Sequence, residues 1–205
     1  MKNKIKKTLS QLSQVSKKGI LLTKPTGKKK VTNLIESLYP FQIQTDLIRV
    51  GPEGDGGYLV PNDLDGIEAI FSPGVDKISE FERECLEYGM QIYMADYSVE
   101  KANLNISEDK YSFLKKYVGC TNNDVFITMD NWVNSNCSSN KTDLLLQMDI
   151  EGGEYNSLIN MSDSLMKRFR IMVIEFHSLQ DLWNPHFFNL NHTVFNKILQ
   201  THICV

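Results

Sequence analysis

One apolar run, LLLQM at 144–148, constrains the fold more than any other part of the sequence. The turn DIEGGE follows it directly, and residues with helical spacing come next. A short apolar run that is followed by a turn and a helix is typical of a strand buried on both faces of a parallel sheet. Ligands bind beyond the carboxyl ends of such strands, so the acids of this turn, Asp149, Glu151 and Glu154, indicate a ligand site.

Strands and helices alternate along the rest of the chain. Strands are predicted at Ile67–Phe71, at 91–96, at 124–130 and at Phe169–His177, and a last strand begins at the terminal ICV. Helices are predicted at 79–89, at 100–120, at Glu154–Asn160 and at 192–202. This alternation predicts an α/β fold with an open, mostly parallel, doubly wound sheet that has helices on both faces.

Two local patterns lie around the first of these strands. The glycine-rich segment 51–61, between extended pieces at Leu47–Val50 and Tyr58–Val60, predicts a hairpin or lid. After the strand, Ser79 and Glu82 have the S-x-x-E spacing of a capping box that would start a helix, and Gly89 would end it.

The charge distribution divides the chain into two parts. Residues 1–30 contain ten lysines and no acid, and an apolar stripe at Ile5, Leu9, Leu12 and Val15 has helical spacing. The remaining residues carry 12 basic and 25 acidic side chains, and 12 minus 25 gives a formal charge of −13. We therefore expect a basic N-terminal arm at 1–30, helical or disordered, and a domain at 31–205. The acidic domain would repel nucleic acid, whereas the arm could make weak contact with an anionic surface.

Hydropathy and cysteine spacing narrow the class of protein further. No segment approaches the roughly 18 apolar residues of a membrane span, and the longest apolar run of the arm, GILL, is too short for a secretory signal. We therefore expect a cytoplasmic protein without an integral membrane segment. The four cysteines are scattered without C-x-x-C spacing, so they predict neither a zinc site nor a redox pair. Nothing in the sequence predicts the oligomeric state.

Acidic residues end several of the predicted strands. Asp96 ends the second strand, where doubly wound folds bind the hydroxyls of a nucleoside ribose. A carboxylate suits a vicinal diol because it accepts one hydrogen bond from each hydroxyl. Asp149 with Glu151, and Glu175 with His177, are two positions apart, so along a strand each pair would share a face and point to one crevice.

These residues, in this order, resemble the FkbM family of S-adenosylmethionine-dependent methyltransferases. The similarity extends from about Asp46 to the end and rests on RVGPEGDGGYLVP, FSPGV, ADYS, MDIEGGEY and IEFH. MDIEGGEY matches the D-x-E-G-x-E signature of that family. The resemblance implies a Rossmann-like class I methyltransferase fold, S-adenosylmethionine as cofactor, and methyl transfer to an oxygen, often a hydroxyl of a sugar, glycan or secondary metabolite. Such a sheet usually ends in a hairpin for which this sequence has no residues, so we expect a domain truncated before its last strands.

The resemblance also implies roles for individual residues. It places Ser72, Pro73 and Gly74 beside the methionine end of the cofactor, Asp96 on its ribose, and Tyr97 and Ser98 along the adenosine. It places Asp149 and Glu151 at the border of the transfer site. Nearby carboxylates would attract the positive charge of a sulfonium. His177 is the candidate base, because its unperturbed pKa is nearest neutrality, with Glu175 or Asp149 orienting it.

Other interpretations of the same residues remain open. His177 could be a structural, hydrogen-bonded histidine, and Glu154 could be no more than a helix-start charge. Asp149, Glu151, Glu175 and His177 could together bind a divalent metal in a hydrolase or a sugar-transferring enzyme, since hard cations prefer oxygen ligands. The missing hairpin also allows a truncated, non-catalytic domain. A dinucleotide-dependent oxidoreductase is disfavoured, because the turn after the first strand lacks G-x-G-x-x-G.

Overall fold

The computed structural model describes residues 23–75, 79–104, 107–137 and 143–205. The apolar stripe predicted for the basic arm lies outside these ranges. The strands are β1 (Leu47–Val50), β2 (Tyr58–Pro61), β3 (Ala69–Pro73), β4 (Gln91–Ala95), β5 (Tyr111–Leu114), β6 (Tyr117–Gly119), β7 (Phe126–Thr128), β8 (Leu144–Met148) and β9 (Phe169–Ile174). The α-helices are α1 (Lys28–Ser37), α2 (Glu80–Cys85), α3 (Met129–Asn136), α4 (Glu154–Asn160), α5 (Asp163–Met166) and α6 (Pro185–Ile198).

A five-stranded parallel sheet forms the centre of the molecule. Its strand order is β5-β4-β3-β8-β9, and every neighbouring pair is parallel. Numbered along this sheet alone, the order is 3-2-1-4-5, the arrangement of a doubly wound fold. The direction in which strands are added reverses between β3 and β8, so the switch point lies between their carboxyl ends. The predicted Rossmann-like α/β fold is confirmed.

Burial on both faces explains why the central strands are apolar throughout. Every residue of β3 and of β8 is buried. Phe71 and Leu146 face one apolar cluster, which also contains Trp132 and Tyr155, whereas Ile70 and Leu145 face the other. Burying an aliphatic or aromatic side chain of this size contributes about 1.5–3 kcal/mol each, so these two strands anchor the sheet. The two-sided burial predicted from LLLQM is confirmed.

The glycine-rich segment forms the predicted hairpin. β1 and β2 pair antiparallel, with Val50 opposite Tyr58. The guanidinium of Arg49 donates to the carbonyl oxygen of Pro52 from Nε (2.9 Å) and Nη2 (2.7 Å), and Nη2 also donates to Gly54 O (2.9 Å). The loop is thereby held in one shape, and its residues reach the end of the central sheet.

Helix α1 is an element that the sequence pattern did not predict. Val31 and Leu34 pack with Leu182, Phe188 and Phe195 in a small apolar cluster. The chain before the helix is also attached there, since Thr26 N donates to Trp183 O (2.8 Å). Because α1 begins at Lys28, it crosses the boundary predicted at residue 30.

The predicted helix at 100–120 is wrong. Its described residues include a 3-10 turn at Glu108–Lys110 and the strands β5 and β6. Phe113, Leu114 and Tyr117 have spacing that fits one helix face, but β5 instead pairs with β4. Peptide groups along the edge of β4 need partners, and this tertiary demand outweighs a weak helical pattern.

Other predicted boundaries were displaced. The strand predicted to end near Asp130 ends at Thr128, whose side chain caps α3 by accepting from Asn131 N (3.3 Å). The terminal ICV is not a strand. The capping box is also wrong, because Ser79 makes no side-chain cap bond and Glu82 turns inward to Ser72. Gly89 does end the following turn in the left-handed conformation (φ 80°). Within the described ranges no helix is both long and apolar enough to cross a membrane.

Candidate functional site

A cavity of about 540 Å³ opens beyond the carboxyl ends of β3, β4 and β8. Gly74, Asp96 and Asp149, the residues that directly follow these strands, line it. The hairpin contributes Asp55, Gly56 and Tyr58 to the wall, and the small β6-β7 sheet contributes Tyr117, Val118 and Phe126. The cavity therefore lies at the switch point, where doubly wound folds bind ligands.

The turn after β3 brings three strand ends into contact. Gly74 N donates to Ala95 O (3.0 Å), and Asp149 N donates to Pro73 O (3.3 Å). Gly74 has a φ of 85°, and a Cβ there would lie 1.6 Å from the carbonyl oxygen of Asp149. Only glycine fits this position, because both the conformation and the close backbone approach exclude a side chain.

Asp96 is an almost fully buried carboxylate in the cavity wall, with 6% of its surface exposed. Its Oδ1 accepts hydrogen bonds from Ser98 N (2.7 Å) and Ser98 Oγ (2.7 Å). These two bonds form a local turn that holds the side chain in place. Because the chain leaves β4 at Ala95, the buried carboxylate lies at the strand end where the sequence predicted it.

Aromatic rings border the cavity on the β4 side. The Tyr97 ring lies 5.2 Å from that of Tyr117, which lies 5.7 Å from that of Phe126. Each of the three is 38–41% exposed. Lys115 Nζ sits 5.8 Å from the centre of the Tyr97 ring. Tyr117 and Phe126 line the cavity, whereas Tyr97 does not.

Asp149 carries a carboxyl with a raised pKa in the cavity wall. Its Oδ1 is buried and has no hydrogen-bond partner among the described residues. Burial raises the pKa of Asp149, the charge of Glu175 adds to this, and His177 opposes it, so that the pKa is about 6. A carboxylate kept partly dehydrated in a cavity attracts a cation or a hydrogen-bond donor.

His177 is held by a buried acid at one nitrogen and faces two acids with the other. Nδ1 lies 3.1 Å from Glu154 Oε1, and Glu154 is fully buried. Nε2 lies 3.7 Å from Asp149 Oδ1 and 3.5 Å from Glu151 Oε2. Burial lowers the pKa of His177, but the hydrogen bond to Glu154 and the charges of the three acids outweigh it and raise the pKa above 6.5.

Glu154 fixes the turn as well as the histidine. Its Oε1 also accepts from Ile150 N (3.1 Å) and Gly152 N (3.0 Å). Glu151, within this turn, has a φ of 54°, and its side chain is exposed. The turn is therefore built around a buried carboxylate, and Glu154 is more than a charge at the start of α4.

The prediction that each pair shares a strand face was wrong, although Asp149 and Glu151 do lie near His177. β8 ends at Met148 and β9 at Ile174, so the acids and the histidine lie in turns and not along strands. Asp149 and Glu151 approach His177 because the turn folds back on itself. The predicted orienting partners, Glu175 and Asp149, do not hold His177; Glu154 does.

Glu175 connects β9 to the hairpin. Its Oε2 accepts from Tyr58 Oη (3.1 Å). Burial raises the pKa of Tyr58, and the charges of Asp149 and Glu175 together with this hydrogen bond add to the effect. Tyr155 donates to the carbonyl oxygen of His177 (2.5 Å) and so holds the backbone there. Glu175 thus acts on the cavity through Tyr58 and through its charge on Asp149.

The predicted site residues fall into three groups around the cavity. Gly74, Asp96, Ser98, Asp149 and Glu151 line it. Glu175 and His177 adjoin the lining through Tyr58, Asp149 and Glu151. Ser72, Pro73 and Tyr97 are not among the residues that line it.

Among the wall residues that sequence reasoning missed are two buried polar ones, Glu82 and Gln147. Gln147 is the one polar residue in LLLQM, which was a signal that it has a buried partner. Glu82 gave a misleading signal, because its spacing from Ser79 matches a capping box.

The strand order and the cavity at the switch point define a Rossmann-like α/β protein with a ligand site at its strand ends. The sequence model of the methyltransferase FkbM domain matches residues 93–200, more than half of the chain. The chain therefore belongs to the FkbM methyltransferase family, and it is a methyltransferase. The matched segment includes Asp96, Asp149, Glu175 and His177 and begins after β3. No curated protein and no solved structure matches the chain.

Proposed function

We propose that the protein transfers a methyl group from S-adenosylmethionine to a hydroxyl oxygen of a sugar, glycan or secondary metabolite. The observation that carries the proposal is the cavity at the switch point, which combines the Gly74 turn with the buried carboxylate of Asp96. Membership of the FkbM family supplies methyl transfer as the reaction.

The residues present fit this cofactor. Gly74 lets the backbone of Asp149 approach more closely than any residue with a Cβ would allow, and this places Asp149 in the cavity wall. Asp149 Oδ1, buried and without a hydrogen-bond partner among the described residues, offers negative charge to a cationic centre. A cavity of about 540 Å³ also lies within the range of small-molecule sites, roughly 300–1,000 Å³.

Asp96 is the residue that would hold the ribose hydroxyls, since a carboxylate only accepts hydrogen bonds and a diol offers two. Ser98 keeps it in place. The ring of Tyr117 borders the same part of the wall and would stack on the nucleobase. When bound, S-adenosylmethionine supplies an electrophilic methyl group on a positively charged sulfur.

His177 is the residue that would take the proton of the acceptor hydroxyl. With Nδ1–H donating to Glu154, Nε2 keeps its lone pair and can accept a proton. Asp149 and Glu151 then stabilise the imidazolium that forms. Nε2 points towards two residues of the cavity wall, which is where an acceptor has to enter.

Binding of S-adenosylhomocysteine, measured by calorimetry on the full chain, tests the proposal. We expect saturable binding that weakens about 10- to 100-fold in Asp96→Ala, because a hydrogen bond to a charged group is worth about 1.5–3 kcal/mol. Asp163→Ala is the control, since Asp163 begins α5 and is exposed. A folded protein that does not bind would refute the proposed cofactor. Incubating extracts with labelled cofactor and analysing them by mass spectrometry would identify the acceptor.

One further observation favours a second candidate, a divalent-metal site. Ligand atoms of Asp149, Glu151 and His177 lie within 4.8 Å of one another, and Glu154 at Nδ1 is the outer carboxylate that metal-binding histidines often have. Glu175, the fourth predicted ligand, is not in this group. A metal would occupy Nε2 and so exclude the role of His177 as base.

Thermal unfolding with Mg²⁺ or Mn²⁺ distinguishes the two candidates. A rise in Tm that is lost in His177→Asn would support the metal site. If S-adenosylhomocysteine raises the Tm and neither metal changes it, the metal site is refuted. The proposed role of His177 as base then stands.

A further inference from the structure

A buried polar cluster lies beside the cavity, formed by Ser72, Glu82 and Gln147. Their surfaces are 0%, 3% and 5% exposed. Ser72 Oγ hydrogen-bonds Glu82 Oε1 and lies 2.6 Å from Gln147 Oε1. Glu82 and Gln147 both line the cavity, and Ser72 precedes the turn at Gly74 by two residues. The cluster therefore supports the wall from β3, α2 and β8.

Among the described residues, Glu82 has no cationic partner of the kind that a buried carboxylate normally needs. None of the ion pairs among the described residues includes Glu82. Burial raises its pKa, and the bond to Ser72 opposes this only in part. An unpaired buried carboxyl is costly unless a ligand completes it. Because Glu82 lies in the cavity wall, a ligand bound in the cavity can supply the missing partner.

Two acceptor oxygens, Glu82 Oε1 and Gln147 Oε1, converge on the single hydroxyl of Ser72. Ser72 has one O–H, and it cannot donate to Glu82 and Gln147 at the same time. A ligand group with several N–H donors would satisfy what Ser72 leaves open. A sulfonium has no such donors, whereas an ammonium has three. Of the two cationic groups of S-adenosylmethionine, only the ammonium can therefore complete the cluster.

We propose that Glu82, held by Ser72 and with Gln147 beside it, binds the α-ammonium group of the amino-acid end of S-adenosylmethionine. The inference rests on the proposed function. It assigns Glu82 as a binding residue that recognises one charged group of the cofactor. Asp149, by contrast, borders the reacting centre, so the two acids serve different cations of the same ligand.

Two ligands that differ only in the ammonium test the assignment: S-adenosylhomocysteine and its desamino analogue, in which hydrogen replaces the α-amino group. We expect the full chain to bind S-adenosylhomocysteine about 10- to 100-fold more tightly, as for a desolvated charge-assisted hydrogen bond. In Glu82→Gln this preference should fall to within about threefold, with the affinity for the desamino analogue unchanged. Calorimetry measures all four values.

Glu84→Gln is the matched control. Glu84 lies on the same helix and receives the same substitution, but its Oε2 accepts from Gly51 N (2.9 Å) and it does not line the cavity. This variant should keep the full preference. Ser72→Ala, which removes the hydroxyl that holds Glu82, should lower the preference and provides a second test if Glu82→Gln does not fold.

The outcomes separate the inference from the proposed function. If the folded protein binds neither ligand, both are wrong. If it binds both equally, or if Glu82→Gln keeps the preference, the assignment of Glu82 is wrong and the methyltransferase site stands. A merely structural role for Glu82 would weaken both ligands by the same factor.

Discussion

His177 owes its electrostatic character to three carboxylates that follow one strand. Glu154 holds Nδ1, while Asp149 and Glu151 face Nε2. The same acids raise the pKa of the histidine, and the charges of Glu151 and Glu154 contribute to the raised pKa of Asp149. The turn thus concentrates negative charge, which either an imidazolium or a cationic ligand can neutralise.

Titration of His177 by NMR should show a midpoint above 6.5. The raised pKa has the hydrogen bond to Glu154 as its main favourable cause, so Glu154→Gln should move the midpoint to lower pH. The resonances of the other three histidines are the internal control and should titrate alike in both proteins. An unchanged midpoint for His177 would show that Glu154 does not control it.

The ionised carboxylate of Asp149 should lower the free energy of unfolding at neutral pH. Its folded-state pKa of about 6 exceeds the usual 3.8, so the native state binds the proton more tightly than the unfolded chain, and stability is lost as pH rises from 3.8 through 6. Asp149→Asn should therefore stabilise the ligand-free protein above pH 6 by about 1–3 kcal/mol and much less near pH 4. Urea unfolding across this range measures the difference. A variant that is less stable than the parent at neutral pH would contradict the cost assigned to the carboxylate.

At the scale of elements, the site depends on how closely the turns after β3 and β8 approach. Gly74 and Gly89 have nearly the same φ, 85° and 80°, but a Cβ at Gly74 would meet the Asp149 backbone, and a Cβ at Gly89 would meet nothing within 4 Å. Comparing the same substitution at the two glycines therefore distinguishes the cost of the left-handed conformation from the cost of a steric clash.

Gly89→Ala should cost about 1–2 kcal/mol, the strain of a left-handed alanine. Gly74→Ala should cost several kcal/mol more, because backbone has to move, and it should abolish binding of S-adenosylhomocysteine. Urea unfolding and calorimetry on both variants provide the comparison. Equal costs would mean that the strand ends are not packed as closely as described.

The elements that the sequence predicts well are those whose burial determines their pattern. LLLQM is apolar because neighbours cover every residue, so β8 is predicted from its apolar run alone. FRIMVI has a similar run and its strand was predicted, but full burial was wrong for it, because β9 lies at an edge of the sheet and is only partly buried. β5 was missed because YSFL has no continuous apolar run and its residues also fit a helix. α1 was missed because its partner, α6, lies at the other end of the chain.

The site residues divide in the same way. Asp96 and Asp149 were predicted because strand ends of a parallel sheet meet, and this needs topology alone. The pairing of Glu154 with His177 and of Glu82 with Ser72 depends on side-chain directions in the assembled fold, which no sequence period describes. Glu82 was assigned to a capping box because its spacing from Ser79 reflects only local geometry. The spacing carries no information about the cavity, which forms when the sheet assembles.

At the scale of the whole molecule, the cavity exists only when distant segments assemble. Its wall combines the hairpin, the ends of β3, β4 and β8, and the β6-β7 sheet. Tyr58 reaches Glu175 across 117 positions, and this bond joins the hairpin to the central sheet. A ligand in the cavity would therefore contact the hairpin, the central sheet and the β6-β7 sheet at once.

The central claim is that a nucleoside methyl donor occupies this cavity, and amide NMR spectra recorded during titration with S-adenosylhomocysteine test it most directly. The account predicts saturable shifts for Gly74, Ser98 and Ile150, which follow three different strands, with little change on α1 and α6. Saturable shifts confined to the α1-α6 face, or a folded protein whose spectrum does not change, would contradict it.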